Sequence, residues 1–224
     1  MSDAITTIGA GQYVLRPAEP GPVSPGCRTV TGAVSSGRTT RAYAAGVTAP
    51  VKVGVQLPPS PGDLGEWLAD GSSFEAAGAH ALWVRPSGPD LDPLALTAAL
   101  AAVTARALLV TTVAGEPSRT LATLDRLSRG RVRVLGEAAV AGLGFFRRVP
   151  AEPDAYEHLD GAGEPERWLR VPSPDGRAGW QASLLDAARR GCRGLVVPAG
   201  PRLLDILRNP EDPGQRHDLQ LAQG

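Results

Sequence analysis

The chain has 224 residues with 23 basic and 23 acidic side chains, so its formal net charge is zero. That balance excludes a general nucleic-acid binder, which needs a basic surplus to displace counterions. An aromatic content of 4% also excludes a stacking platform for single strands. Lys52 is the only lysine. The arginine excess, 27 Gly and 21 Pro carry the coding bias of a GC-rich bacterial genome. Cys27 and Cys192 are too few for a disulfide framework and have no cysteine or histidine at ligand spacing, so a reducing compartment and no metal site are expected. Met1–Gly11 lacks a basic start and an apolar run, so a cytoplasmic location is expected.

Residues 1–50 differ from the rest. They hold Pro17, Pro20, Pro22 and Pro25, then a Gly/Ser/Thr-rich run to Thr40, with no sustained periodicity. Such a segment buries too little apolar surface to offset its ordering entropy, which predicts a flexible arm. Val51 opens a pattern that resembles a protein start, and a GTG start codon would read as Val in a longer frame. Translation from Val51 is a further expectation.

From Val51 the punctuation becomes regular. Val51–Leu57 is a β-branched run closed by Pro58-Pro59, which predicts a buried strand. Asp63 caps a predicted helix with Leu64, Trp67, Leu68 and Phe74, ending near Gly78 and weakened by Gly71-Ser72-Ser73. Ala81–Val84 reads as the second strand. Asp92-Pro93 starts a helix running to about Thr104. Ala107–Val113 reads as the third strand. The stretch Leu94–Val113 is long enough to span a membrane. It carries Arg106 and four threonines, however, and reads as a helix followed by a strand. Ser118 begins a helix with Leu121, Leu124 and Leu127, stopped by Gly130, and Arg131–Leu135 reads as the fourth strand.

Strands alternating with helices at intervals of about 24 to 30 residues predict right-handed βαβ units and a parallel sheet. Residues 137–166 show one predicted helical turn, Asp154–Leu159. A strand at Arg167–Val171, a helix at Gly176–Arg190, a strand at Leu195–Val197, a helix at Pro201–Arg208 and a polar tail follow. Six strands are counted, and a full eight-stranded barrel usually takes roughly 250 residues. The expected fold class is therefore α/β, a reduced or incomplete TIM barrel with predominantly parallel strands over residues 51–224. An incomplete barrel leaves edges and apolar faces to cover, so a homo-oligomer, most simply a dimer, is expected.

Val51–Pro58, Glu75–Val84, Asp92-Pro93-Leu94, the Ala-rich helix leading to Thr104-Ala105-Arg106, and Ala122–Arg131 together resemble the luciferase-like monooxygenases in order and approximate spacing. Gly176–Pro198 resembles the last helix-and-strand unit of that fold more loosely. The resemblance implies a TIM barrel, FMN or a deazaflavin coenzyme, oxidoreductase chemistry on a small-molecule substrate, and no nucleic-acid or membrane partner. The departures are specific. After the second strand many members carry an acidic residue and histidines, whereas this chain runs into Arg85-Pro86-Ser87-Gly88-Pro89, and the middle of the barrel is compressed.

Ligands of βα barrels bind at the carboxyl ends of the strands. By that position Gln56, Arg85, Thr112, Gly136 and Gly200 are the candidate cofactor-binding residues; no catalytic residue is assigned. Arg85 suits a phosphate or carboxylate, against a surface salt bridge as the plainer reading. His80 falls at the opposite end and reads as structural. His158, beside Glu157 and Asp160, reads either as an acid/base cluster or, in preference, as part of a solvated surface helix. His217 lies in the polar tail. Gly142-Leu143-Gly144 is a weak phosphate-loop signal. Asp125 and Arg129 are spaced for a helical ion pair, Arg131 reads as structural, and Trp67, Trp83, Trp168 and Trp180 read as core.

Overall fold

The computed structural model describes residues 50–210 apart from 60, 86–90, 114, 116, 117, 141 and 162. The expectations on the N-terminal arm, on His217 and on Cys27 lie outside the described residues. In chain order the elements are β1 (Lys52–Gln56), α1 (Leu64–Ala76), β2 (Ala81–Val84), α2 (Pro93–Val103), β3 (Leu108–Thr112), α3 (Ser118–Ser128) and β4 (Val132–Leu135). Then come β5 (Phe145–Val149), β6 (Glu152–Leu159), β7 (Glu166–Arg170), α4 (Arg177–Arg189), β8 (Gly194–Pro198) and α5 (Pro201–Arg208). The eight strands close into one barrel in sequence order. All neighbours are parallel except β5–β6 and β6–β7, which are antiparallel.

Closure corrects the six-strand count and the expected open edges. The middle segment supplies two strands, because a hairpin return takes only a few residues where a parallel return needs a crossover helix. The two antiparallel returns dispense with two crossover helices, and the parallel β4–β5 connection also runs without one. The outward face of the hairpin strands does not need them: Arg147 pairs with Glu157, and Arg167 and Arg190 both pair with Glu152. Apart from the buried Ala155 and Leu169, ion pairs line this outward face. Unpaired strand edges, one of the two grounds for expecting a homo-oligomer, are therefore absent, whereas Leu64, Val103, Leu127 and Leu185 leave exposed apolar surface on the helices. The predicted helical turn at Asp154–Leu159 is also corrected, since these residues lie in β6, between two strand partners.

The parallel part follows its local signals. Asp63 caps α1 by accepting from the Glu66 N–H at 2.8 Å. Asp92 caps α2 by accepting from Leu94 and Ala95 at 2.7 and 3.0 Å, with Pro93 in the first turn. Gly71 does not break α1: a Cβ there would come within 2.5 Å of Leu100, so glycine is what lets α1 approach α2. α3 ends because Arg129 and Gly130 take φ of 60° and 77°. That left-handed turn takes Arg129 off the helix, and the expected Asp125–Arg129 pair does not form among the described residues.

The strand registers place the inward side chains in stacked layers, each drawn from alternate strands as in (β/α)8 barrels. At the amino-terminal end Lys52 and Glu166 lie below Arg133 and His158. The middle holds Gly54, Val110, Phe146 and Trp168, then Trp83, Leu135, Tyr156 and Val196. At the carboxyl end Gln56, Thr112, Arg148 and Arg170 share one layer. The middle is closed by aromatic contacts: Trp83 lies 4.8 Å from Phe146 and 4.9 Å from Tyr156, and Phe146 lies 5.4 Å from Trp168. Two glycines make room for these rings. A Cβ at Gly194 would fall 2.3 Å from Trp168, and one at Gly54 would fall 2.8 Å from the Trp83 indole nitrogen. A second apolar layer, including Leu82, Leu109, Leu195, Trp67 and Trp180, lies between barrel and helices, so all four tryptophans are core. Each fully buried large side chain contributes about 1.5 to 3 kcal/mol.

Candidate functional site

The two ends of the barrel differ in how their polar groups are satisfied. At the amino-terminal end, the buried Glu75 carboxylate accepts from the N–H groups of Ala105, Arg106 and Ala107 at 2.7 to 3.0 Å. Burial pushes its pKa up, but the three N–H donors and the charge of Arg131 outweigh it and hold the carboxyl below its usual value. The Arg131 guanidinium spans the same turn, donating to Thr104 Oγ1 and to the carbonyls of Ser128, Ala107, Ala101 and Thr104 at 2.7 to 3.1 Å. It is structural, as the sequence reading held.

A second network closes the barrel floor. Lys52 Nζ donates to both Glu166 oxygens at 2.7 and 2.8 Å, and Glu166 Oε2 lies 3.5 Å from His158 Nδ1. Arg133 Nε donates to His158 Nε2 at 3.3 Å, and Arg133 Nη2 bonds Asp160 at 2.7 Å. This requires a neutral imidazole with its proton on Nδ1. Burial pushes the His158 pKa down, the Glu166 hydrogen bond opposes it, the Arg133 charge adds to the burial, and the result lies below the usual histidine value. His158 is thus corrected from a solvated helix to a buried strand residue, stacked on Phe146 at 4.4 Å. It lies at the end away from the strand carboxyl termini, where an acid/base role has no mouth to serve.

Gly142-Leu143-Gly144 runs into the same floor and is not a phosphate loop at the mouth. A Cβ on Gly144 would come within 2.7 Å of Arg133. His80 is structural too: its Nδ1 accepts from the Val53 N–H at 3.3 Å.

The carboxyl-terminal mouth is built differently. Gln56 and Thr112 end β1 and β3, Arg85 follows β2, Gly136 follows β4, and Gly200 caps α5 directly after β8. All five candidates therefore share one end of the barrel. Sequence reasoning missed Arg148 and Arg170, because the strands that turn them inward lie in or border the segment read as irregular. Both are exposed, and neither makes a hydrogen bond or ion pair among the described residues; nor does Arg85. Asp154 stands between Arg148 and Arg170 on β6 and pairs with neither. A cavity of about 250 Å³ lined by Asp154, Arg170, Val171, Pro172 and Pro198 opens here. Beside it, a cleft of about 330 Å³ is lined by Ser173, Asp175, Gly200, Arg202 and neighbours.

α1 and α2 carry aspartate caps, whereas α4 and α5 begin at Gly176 and Gly200 with no side-chain cap. Glycine has no side chain, so neither cap residue supplies an acceptor to the first-turn N–H groups. Among the described residues no His/Cys/Asp/Glu group could hold a metal ion. Nor is any helix long and apolar enough to cross a membrane. Cys192 is buried and free.

No family model and no curated protein matches the chain. Among solved structures it is similar to riboflavin lyase RcaE, determined with modified FMN and the substrate riboflavin. The identity is 22% over 42% of this chain and 30% of that one, with a TM-score of 0.32. It is also similar to DmoA from Hyphomicrobium sulfonivorans, at 21% identity over 41% and 29%, with a TM-score of 0.33. A tryptophan synthase from M. tuberculosis matches over 72% of this chain and 91% of that one, at 12% identity and a TM-score of 0.41. The chain spans about 30% of the length of RcaE and DmoA. Likenesses of this degree name no residue and no chemistry. The fold rests on the strand pairing itself: an eight-stranded, mostly parallel α/β barrel.

Proposed function

We propose that the barrel binds an anionic, flavin-type cofactor at its carboxyl-terminal mouth and is a luciferase-like oxidoreductase acting on a small molecule. One observation carries this reading: the mouth gathers two helix N-termini that no cap side chain closes, those of α4 and α5, and the guanidinium of Arg85, which has no partner among the described residues. Phosphate sites of βα barrels are built from the loops after the seventh and eighth strands with a helix N-terminus, which is where Gly176 and Gly200 stand. These groups fit the phosphate of FMN or of a deazaflavin coenzyme. Gln56 and Thr112, inward on the top layer, would bond the polar edge of the ring, and Gly136 leaves backbone room beside β4. A bound flavin would supply hydride or oxygen chemistry, and the protein would orient it and exclude water.

A second reading is a shortened paralogue without catalysis that binds such a ligand or a protein partner. It is favoured by the placement of both described histidines at the opposite end, which leaves Asp154 as the carboxylate at the inward strand ends of the mouth. The absorbance spectrum of the purified protein, followed by titration with FMN and with the deazaflavin coenzyme, tests the first reading. A bound chromophore, or saturable binding at micromolar concentration or below, is the expected result; no binding of either overturns it. Turnover of reduced cofactor then separates the oxidoreductase from the paralogue.

A further inference from the structure

On β5 and β7 the arginines divide by face. The outward ones are neutralised: Arg147 by Glu157 at 2.6 Å, and Arg167 by Glu152. The inward ones at the mouth, Arg148 and Arg170, have no partner among the described residues. The register that aligns Arg148 with Tyr156 and Tyr156 with Trp168 puts both guanidinium stems on the barrel interior, in one layer with Gln56 and Thr112. A guanidinium offers planar, paired donors matched to a carboxylate or phosphate. Arg170 lines a cavity of about 250 Å³ there, and Arg148 stands in the same layer of the mouth, so the two offer a place for an anion.

We infer that Arg148 and Arg170 form an anion-binding pair that holds the carboxylate or phosphate group of a small-molecule substrate. This rests on the mouth being the ligand face, as proposed above, but not on the flavin. Asp154 stands between the two arginines and opposes an anion there. It favours ligands whose charge is concentrated enough to displace its influence, which gives the proposal a sign that a generic basic surface would not share. The hairpin that carries Arg148 and Asp154 is also the part of this barrel that departs from regular βα alternation. Substrate selection would thus reside in the segment that replaced the missing helices.

The test is calorimetric titration of the full chain with phenyl phosphate, benzoate and the neutral isostere benzamide. Wild type should bind at least one of the two anions about tenfold more tightly than benzamide, the scale of a charge-assisted hydrogen bond. The tighter anion tells phosphate from carboxylate. Arg148→Gln and Arg170→Gln should each lose about tenfold for the anion and nothing for benzamide. Asp154→Asn should gain a few-fold, and Arg193→Gln, at the other end of the barrel, should leave affinity unchanged. Anion binding absent in wild type, or weakened equally by Arg193→Gln, would overturn the proposal.

FMN titration of the same variants keeps the two readings apart. Retention of FMN by Arg148→Gln and Arg170→Gln supports a separate substrate pair. Loss of FMN in step with benzoate shows that the arginines hold the cofactor and overturns the pair as a substrate site. Anion binding that persists where FMN fails in wild type removes the flavin reading alone. The substituted side chains make no contact that the fold uses, so unchanged melting curves are expected.

Discussion

The amino-terminal floor and the carboxyl-terminal mouth hold similar residue types in opposite states. At the floor Lys52, Glu166, His158, Arg133 and Asp160 form an unbroken chain of partners, and Glu75 and Arg131 saturate the turn before β3. At the mouth Arg85, Arg148 and Arg170 have none among the described residues, and two helices start without side-chain caps. A buried polar group left unpaired costs stability, so a floor of saturated groups serves the fold. Donors kept unpaired but solvated cost little, and they remain free to meet a ligand. Arginine content alone therefore says nothing about function in this chain; the partner of each arginine does.

The largest expected effect comes from breaking the floor. Glu75→Ala strands three N–H groups and leaves Arg131 without its compensating charge. We expect a loss of about 3 kcal/mol in denaturant unfolding, with Glu75→Gln in between; a loss under 1 kcal/mol would deny the floor its structural role. Next is the packed middle: Gly194→Ala drives a methyl into Trp168 and should cost about 2 to 3 kcal/mol, with a shift in tryptophan fluorescence.

A smaller effect is the pH response of His158. Its folded pKa lies below the free value of 6.5, so the unfolded chain takes up the proton first. This contribution is fully present above 6.5 and is lost as pH falls through that value toward the folded one. Melting temperature should therefore drop on acidification from pH 7 toward 5, and His158→Gln should flatten that part of the profile. An unchanged slope in the variant would mean that the imidazole is not buried neutral. The smallest stability effect belongs to the mouth, where Arg148→Gln and Arg170→Gln should stay within about 0.5 kcal/mol of wild type while altering anion affinity. Destabilisation comparable to that of Glu75→Ala would erase the contrast between the two ends.

Much of the parallel part was legible because its signals are local. Asp63 and Asp92 cap the helices they were expected to cap, the β-branched runs form β1 and β3, and the Gly130 stop ends α3. The residues that carry the resemblance to luciferase-like enzymes, among them Glu75, Thr104-Ala105-Arg106 and Ser128–Arg131, prove to be the floor's clamps. They hold the βα units together, so likeness in those segments speaks for architecture alone. Gln56, Thr112 and Arg85 could be nominated because a strand end is readable. Arg148 and Arg170 could not, because a residue's inward direction depends on its strand, and β5 and β6 have weak periodicity in sequence.

The amino-acid sequence by itself determined the alternation of strands and helices and the caps and stops, since each depends on neighbours within a few positions. Only the tertiary structure decided that the barrel closes, that His158 is buried, and which arginines are paired. Closure is decided by register between strands far apart in the chain. Whether a guanidinium meets a carboxylate or open solvent depends on which face of the strand it occupies once the hairpin has folded back.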